Sequence, residues 1–87
     1  MAYRIDLPAK VQKVLDSLDE RTFRQLDKEI IRLRDDPRPP GSRKLEDYVY
    51  RVRTGDWRVI YAVFDAERLV QIIRVARRSE KTYRGLT

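Results

Sequence analysis

The chain has 87 residues, no cysteine, no histidine and a formal net charge of +6. That length supports one domain, residues 1–87, whose single core needs no metal or disulfide staples. The missing residue types exclude a disulfide framework, a cysteine-bearing zinc site and any mechanism built on an imidazole base.

No apolar run approaches the ~20 residues of a membrane span, and the N-terminus lacks a signal-peptide pattern. The expectation is a cytoplasmic protein without a membrane role. Charge is unevenly placed. Residues 1–42 carry nine basic and eight acidic side chains, whereas residues 43–87 carry eleven and six. A basic half of +5 beside a nearly neutral half implies a polyanion-binding face more than general solubility charge. Arginine outnumbers lysine in that half, as suits bidentate phosphate contacts.

In chain order, Tyr3-Arg-Ile-Asp-Leu7 alternates apolar and charged residues and predicts a short strand. Pro8 stops it and can open a helix, in which Val11, Val14, Leu15 and Leu18 recur at helical spacing. Ser17-Leu-Asp-Glu20 has the form of a capping box, placing the start of a second helix at Ser17 or Asp19. That helix has an apolar stripe of Phe23, Leu26, Ile30 and Leu33, widened by Ile31. Its other faces are charged and read as solvated. Asp35 to Ser42, with three prolines, breaks the helix and forms a stiff connector. Arg43-Lys-Leu either begins a sheet edge or stays irregular.

The stretch from Tyr48 to Val75 organises the rest. Three runs rich in β-branched and aromatic residues, broken by Thr54-Gly-Asp56 and Asp65 to Arg68, predict an antiparallel three-strand meander. Gly55 can supply the positive φ of a tight hairpin. A two-residue loop at Gly55-Asp56 sets Arg53 opposite Arg58, and one at Thr54-Gly55 sets Arg51 there instead. Either loop puts Arg51, Arg53 and Arg58 on one face; a three-residue loop would break the arrangement. Continuing the ladder pairs Phe64 with Leu69 and Arg58 with Val75, and Arg77 then leaves the sheet near Arg58.

Opposed like charges destabilise a sheet, so this cluster implies an anionic ligand. The other face carries Tyr48, Tyr50, Val52, Val59, Tyr61 and Val63, a platform for the helical hairpin. Val49, Ile60, Ala62 and Phe64 share the arginine face. Trp57 reads as core, and the three tyrosines of the platform read as packing residues. The tail after Val75 has no core rhythm, which gives Tyr83 little structural reason to be there. The fold class is α+β: an N-terminal strand and a helical hairpin packed on an antiparallel meander.

Asp56, Asp65 and Glu67 lie in turns at opposite ends of the meander, a poor arrangement for a metal-dependent nuclease. Guanidinium groups can bind a phosphodiester and stabilise the added charge of a pentacovalent transition state. A tyrosine can stack on a base or handle a proton.

The segment Tyr-Arg-Val-Arg-Thr-Gly-Asp-Trp-Arg-Val-Ile-Tyr at 50–61, followed by Ile-Arg-Val-Ala-Arg-Arg and then Tyr83, resembles the RelE/ParE toxin superfamily. The opening Met-Ala-Tyr, the helical hairpin and the Asp-Pro loop extend the likeness over nearly the whole chain. The resemblance implies the toxin of a type II toxin–antitoxin pair, with a cognate antitoxin as partner. In the RelE-like mRNA interferase branch it further implies an endoribonuclease that enters the ribosomal A site, in the small (30S) subunit, and cuts mRNA. There the ribose 2′-OH attacks the adjacent phosphate without metal or cofactor.

By position, Arg58 matches the arginine on the scissile phosphate, and Arg51 and Arg53 match the two basic residues of the preceding strand. Arg78 matches the second phosphate-stabilising arginine when counted from Val75; counting back from Tyr83 selects Arg77. Tyr83 matches the C-terminal tyrosine that packs on the nucleotide and helps activate the 2′-OH. Arg51, Arg53, Arg77 and Lys81 are the expected RNA contacts. RelE itself has lysines where this chain has Arg51 and Arg53, and an arginine cannot serve as the base. The competing branch is ParE, an inhibitor of DNA gyrase that cuts no RNA.

Overall fold

A computed structural model of the chain describes residues 2–77. Its elements run β1 (Arg4–Asp6), α1 (Ala9–Asp16), α2 (Glu20–Arg32), β2 (Arg43–Glu46), β3 (Val49–Thr54), β4 (Trp57–Phe64) and β5 (Leu69–Arg77). The strands form one mixed sheet in the order β1-β5-β4-β3-β2. β1 runs parallel to β5, and the other neighbours are antiparallel. Both helices pack on one side of this sheet, and the α+β class follows.

The two helices meet through residues their spacing selects. Val11 and Leu15 of α1 and Leu26, Ile30 and the following Leu33 are buried with Val52, Val59, Tyr61, Val63, Val70, Ile72 and Val75. Ile31 lies outside this stripe and is 49% exposed, because a helix of this length covers the sheet with one narrow face. Ser17 does not open a capping box. Its hydroxyl donates to the carbonyl of Val14 at 2.7 Å and ends α1, while Asp19 takes the N-cap position of α2.

The proline-bearing connector closes over one end of the sheet. Pro37 and Pro39 are buried, and the carbonyl of Pro37 accepts a hydrogen bond from the buried Tyr61 hydroxyl at 2.7 Å. Burial pushes that phenol up to about 12. Arg38 reaches from the same loop to Asp65 in the β4–β5 turn: Nη2 donates to Oδ2 at 2.8 Å, and Nε donates to the Tyr50 hydroxyl at 3.1 Å. Tyr3 donates its hydroxyl to the other Asp65 oxygen at 2.6 Å.

Tyr48 departs from the platform expected of it. It sits in the β2–β3 turn at φ 67° and is 62% exposed. The left-handed backbone turns its side chain out of the alternation, and its ring lies 5.7 Å from that of Phe64.

Candidate functional site

The β3–β4 hairpin settles the register. Thr54 pairs with Trp57 and Arg53 with Arg58, so the loop is the two residues Gly55-Asp56. Gly55 takes φ 58°, the left-handed conformation such turns require. Arg51 pairs with Ile60, and directly paired residues share a face. Arg51, Arg53 and Arg58 therefore lie together on the side of the sheet away from the helices. Arg51 and Arg58 are buried and make contacts within the chain, whereas Arg53 is exposed.

Two further arginines join them that sequence reasoning missed. Arg43 of β2 pairs with Arg51, which brings it to the same face from the sheet's edge. Arg74 pairs with Ile60, which brings it there from β5. The pairing of Arg74 depends on a bulge. Tyr61 pairs with Ile72 and Ile60 with Arg74, leaving Ile73 as the extra residue. This one-residue insertion reverses the facing of everything after it. Arg58 accordingly pairs with Ala76, where an uninterrupted ladder would pair it with Val75.

Arg77 moves for the same reason. It pairs with Trp57, and its guanidinium carbon lies 5.2 Å from the centre of the indole ring. That places it on the helix side beside a tryptophan that packs on the core, away from the face carrying Arg58. The signal that could have exposed the bulge was the apolar doublet Ile72-Ile73, which breaks strict alternation. Arg78, Lys81 and Tyr83 lie outside the described residues.

Among the described residues, acidic groups keep to the margins of the arginine face. Asp6 pairs with Gln71 and accepts a hydrogen bond from its side chain at 3.1 Å, beside β1. Glu46 pairs with Val49 at the far end of β2. Between them, two like-charged pairs stand directly opposed, Arg43 with Arg51 and Arg53 with Arg58. Such pairs oppose folding, and an anion placed between the guanidinium forks relieves them. Ile60, Ala62 and Ala76 form a buried apolar floor among the arginines. The face can thus bind an extended anion and concentrate positive charge at one point on it.

The fold is that of the RelE/ParE toxin superfamily. A family model for the ParE toxin of type II toxin–antitoxin systems, parDE, matches residues 3–82, and the chain belongs to that family. Among solved structures, the toxin of the archaeal RelE–RelB complex from Pyrococcus horikoshii is similar at 28% identity and a TM-score of 0.79. That match covers 92% of this chain and 99% of the other. A mutant RelE from E. coli in the free state shares the fold at 23% identity and TM-score 0.79, covering 98% and 93%. So does the RelBE2 complex of Mycobacterium tuberculosis at 20% and 0.76, covering 88% and 99%. No curated protein matches the sequence. No helix among the described residues is long and apolar enough to cross a membrane.

Proposed function

We propose that the chain is a ribosome-dependent endoribonuclease that cuts mRNA in the A site by attack of the ribose 2′-OH on the adjacent phosphodiester. The observation that carries this reading is the convergence of Arg51, Arg53 and Arg58 on one sheet face, with no acidic residue between them among the described residues. Arg58, set beside Arg53 and over an apolar floor, serves as the principal ligand of the scissile phosphate. Arg51 and Arg53 raise the positive potential there, which favours the dianionic transition state over the monoanionic substrate.

Neither arginine can take the 2′-OH proton. That step falls to Tyr83, with Arg78 as the second phosphate ligand, as the family likeness implies. Lys81 contributes charge to the RNA. The toxin is held inactive by a cognate antitoxin, a partner supported by the P. horikoshii RelE–RelB complex.

The match to a ParE family model keeps a second reading, the ParE-like inhibitor of DNA gyrase that the resemblance offers as the competing branch. One experiment separates the two. Primer extension on mRNA translated with purified toxin is expected to reveal cuts within codons in the A site, and gyrase supercoiling is expected to proceed unhindered. Intact mRNA together with inhibited gyrase would replace the nuclease reading by the ParE one.

A further inference from the structure

The bulge at Ile73 changes what β5 presents. Under strict alternation from Leu69, Arg74 would point to the helix side with Val70 and Ile72. Instead it pairs with Ile60 and joins the arginine face. At the opposite edge, Arg43 reaches that face by pairing with Arg51. One row across four strands therefore reads Arg43, Arg51, Ile60, Arg74. Three strand spacings make it about 14 Å long. A second row, Arg53, Arg58, Ala76, lies one pleat nearer the hairpin tip, about 7 Å away.

Arg74 itself is set up for a ligand. The residue is half-buried, and its Nε is shielded from solvent without a hydrogen-bond partner among the described residues. A buried donor left unsatisfied is costly, and an anion would satisfy it. Arg74 also lines a cavity of about 110 Å³ at this edge of the sheet, with Ile73, Val75 and Lys10, Val11 and Val14 of α1.

We infer that Arg74 and Arg43 are positioning residues that bind backbone phosphates on either side of the one held at Arg58. The RNA then runs across the strands, from β2 towards β5, as an extended single strand. The identity of the ligand rests on the nuclease reading; the placement of the cations does not. Arg58 acts on the reacting phosphate, whereas Arg74 and Arg43 act by holding the strand in line.

The test is single-turnover cleavage on programmed ribosomes across a range of toxin concentration. Arg74→Ala is expected to raise the half-saturating concentration on the order of tenfold, the scale of one lost hydrogen bond to a charged group. The rate at saturation should change little. Arg43→Ala should act in the same direction more weakly, and Arg74→Lys should recover part of the loss. Direct binding of a short labelled single-stranded RNA, titrated with salt, should show a slope reduced by about 0.7 for each arginine removed.

A folded Arg74→Ala protein with the parent's half-saturation and salt slope overturns the inference. If that variant fails to fold, Arg43→Ala, at an exposed edge position, decides by the same two readouts. A parent that binds the RNA but never cuts overturns the nuclease reading alone. The salt slopes of parent and variants then still decide whether Arg74 and Arg43 form the band.

Discussion

On the helix side of β4, Val59, Tyr61 and Val63 are buried against Leu15, Leu26 and Ile30. On the other side, the same strand turns Arg58, Ile60 and Ala62 towards Arg51, Arg53 and Arg74. Period-two alternation separates these two sets by one residue, so a single strand serves two purposes at once. The helix side is apolar, and its one buried phenol is satisfied by the Pro37 carbonyl. The arginine side opposes like charges and leaves a guanidinium nitrogen of Arg74 without a hydrogen bond among the described residues. One face holds the molecule together; the other gathers positive charge that suits an anionic ligand.

The sharpest way to break this contrast is one substitution on each face. Arg58→Ala is expected to lower the single-turnover cleavage rate by ~10²–10³, the scale of one lost transition-state donor. Its denaturation midpoint should move far less than its activity, because the loss of its own contacts is offset by relief of the like-charge opposition to Arg53. Arg58→Lys keeps the aliphatic stem and the charge but loses the planar fork, and should fall between the parent and alanine.

Leu26→Ala has the converse expectation. Leu26 is fully buried, and such a truncation costs about 2–5 kcal/mol, a large share of a small domain's stability. Under conditions where the variant stays folded, its cleavage rate should match the parent's. An Arg58→Ala protein that cuts normally, or a Leu26→Ala protein with parental stability, would dissolve the division between the faces.

Much of this division could be read from residue order, and the missing parts have physical causes. Alternation in Tyr50 to Val63 placed Arg51, Arg53 and Arg58 together whichever two-residue turn was used. Choosing between the two turns needed the observed pairing of Thr54 with Trp57, since Gly55 fits either. The parallel partnership of β1 with β5 was not legible, because a strand's own pattern names its buried face and not its neighbour. Arg43 and Arg74 were missed for related reasons. An edge strand of four residues carries little periodic signal, and a bulge shifts every later residue by one. Tyr48 left the platform because the turn imposes a positive φ that tyrosine's own preferences give no reason to expect.

The smallest expected effect concerns the clamp at Asp65, on the β4–β5 turn, at the end of β4 opposite Arg58. The hydrogen bonds from Arg38, and next that from Tyr3, hold the Asp65 carboxyl below its usual range. The same carboxylate raises the Tyr3 phenol, so Tyr3 keeps its proton and remains a donor. A carboxyl whose folded pKa is depressed contributes stability above its unfolded value of about 3.9, and loses that contribution as pH falls through the folded value. The Asp65 side chain is 58% exposed, so solvent screens the pair and the effect is small.

Asp65→Asn should therefore lower the urea midpoint slightly at neutral pH, with the gap to the parent closing as pH falls below about 4. Cleavage measured at neutral pH should be unaffected, because Asp65 touches the connector and Tyr3 and none of the clustered arginines. A midpoint gap that persists unchanged at pH values well below the carboxylate range would show that the ion pair is not its source. A loss of cleavage with the fold intact would instead tie the proline-bearing connector to the arginine face, joining two regions that the sheet otherwise keeps apart.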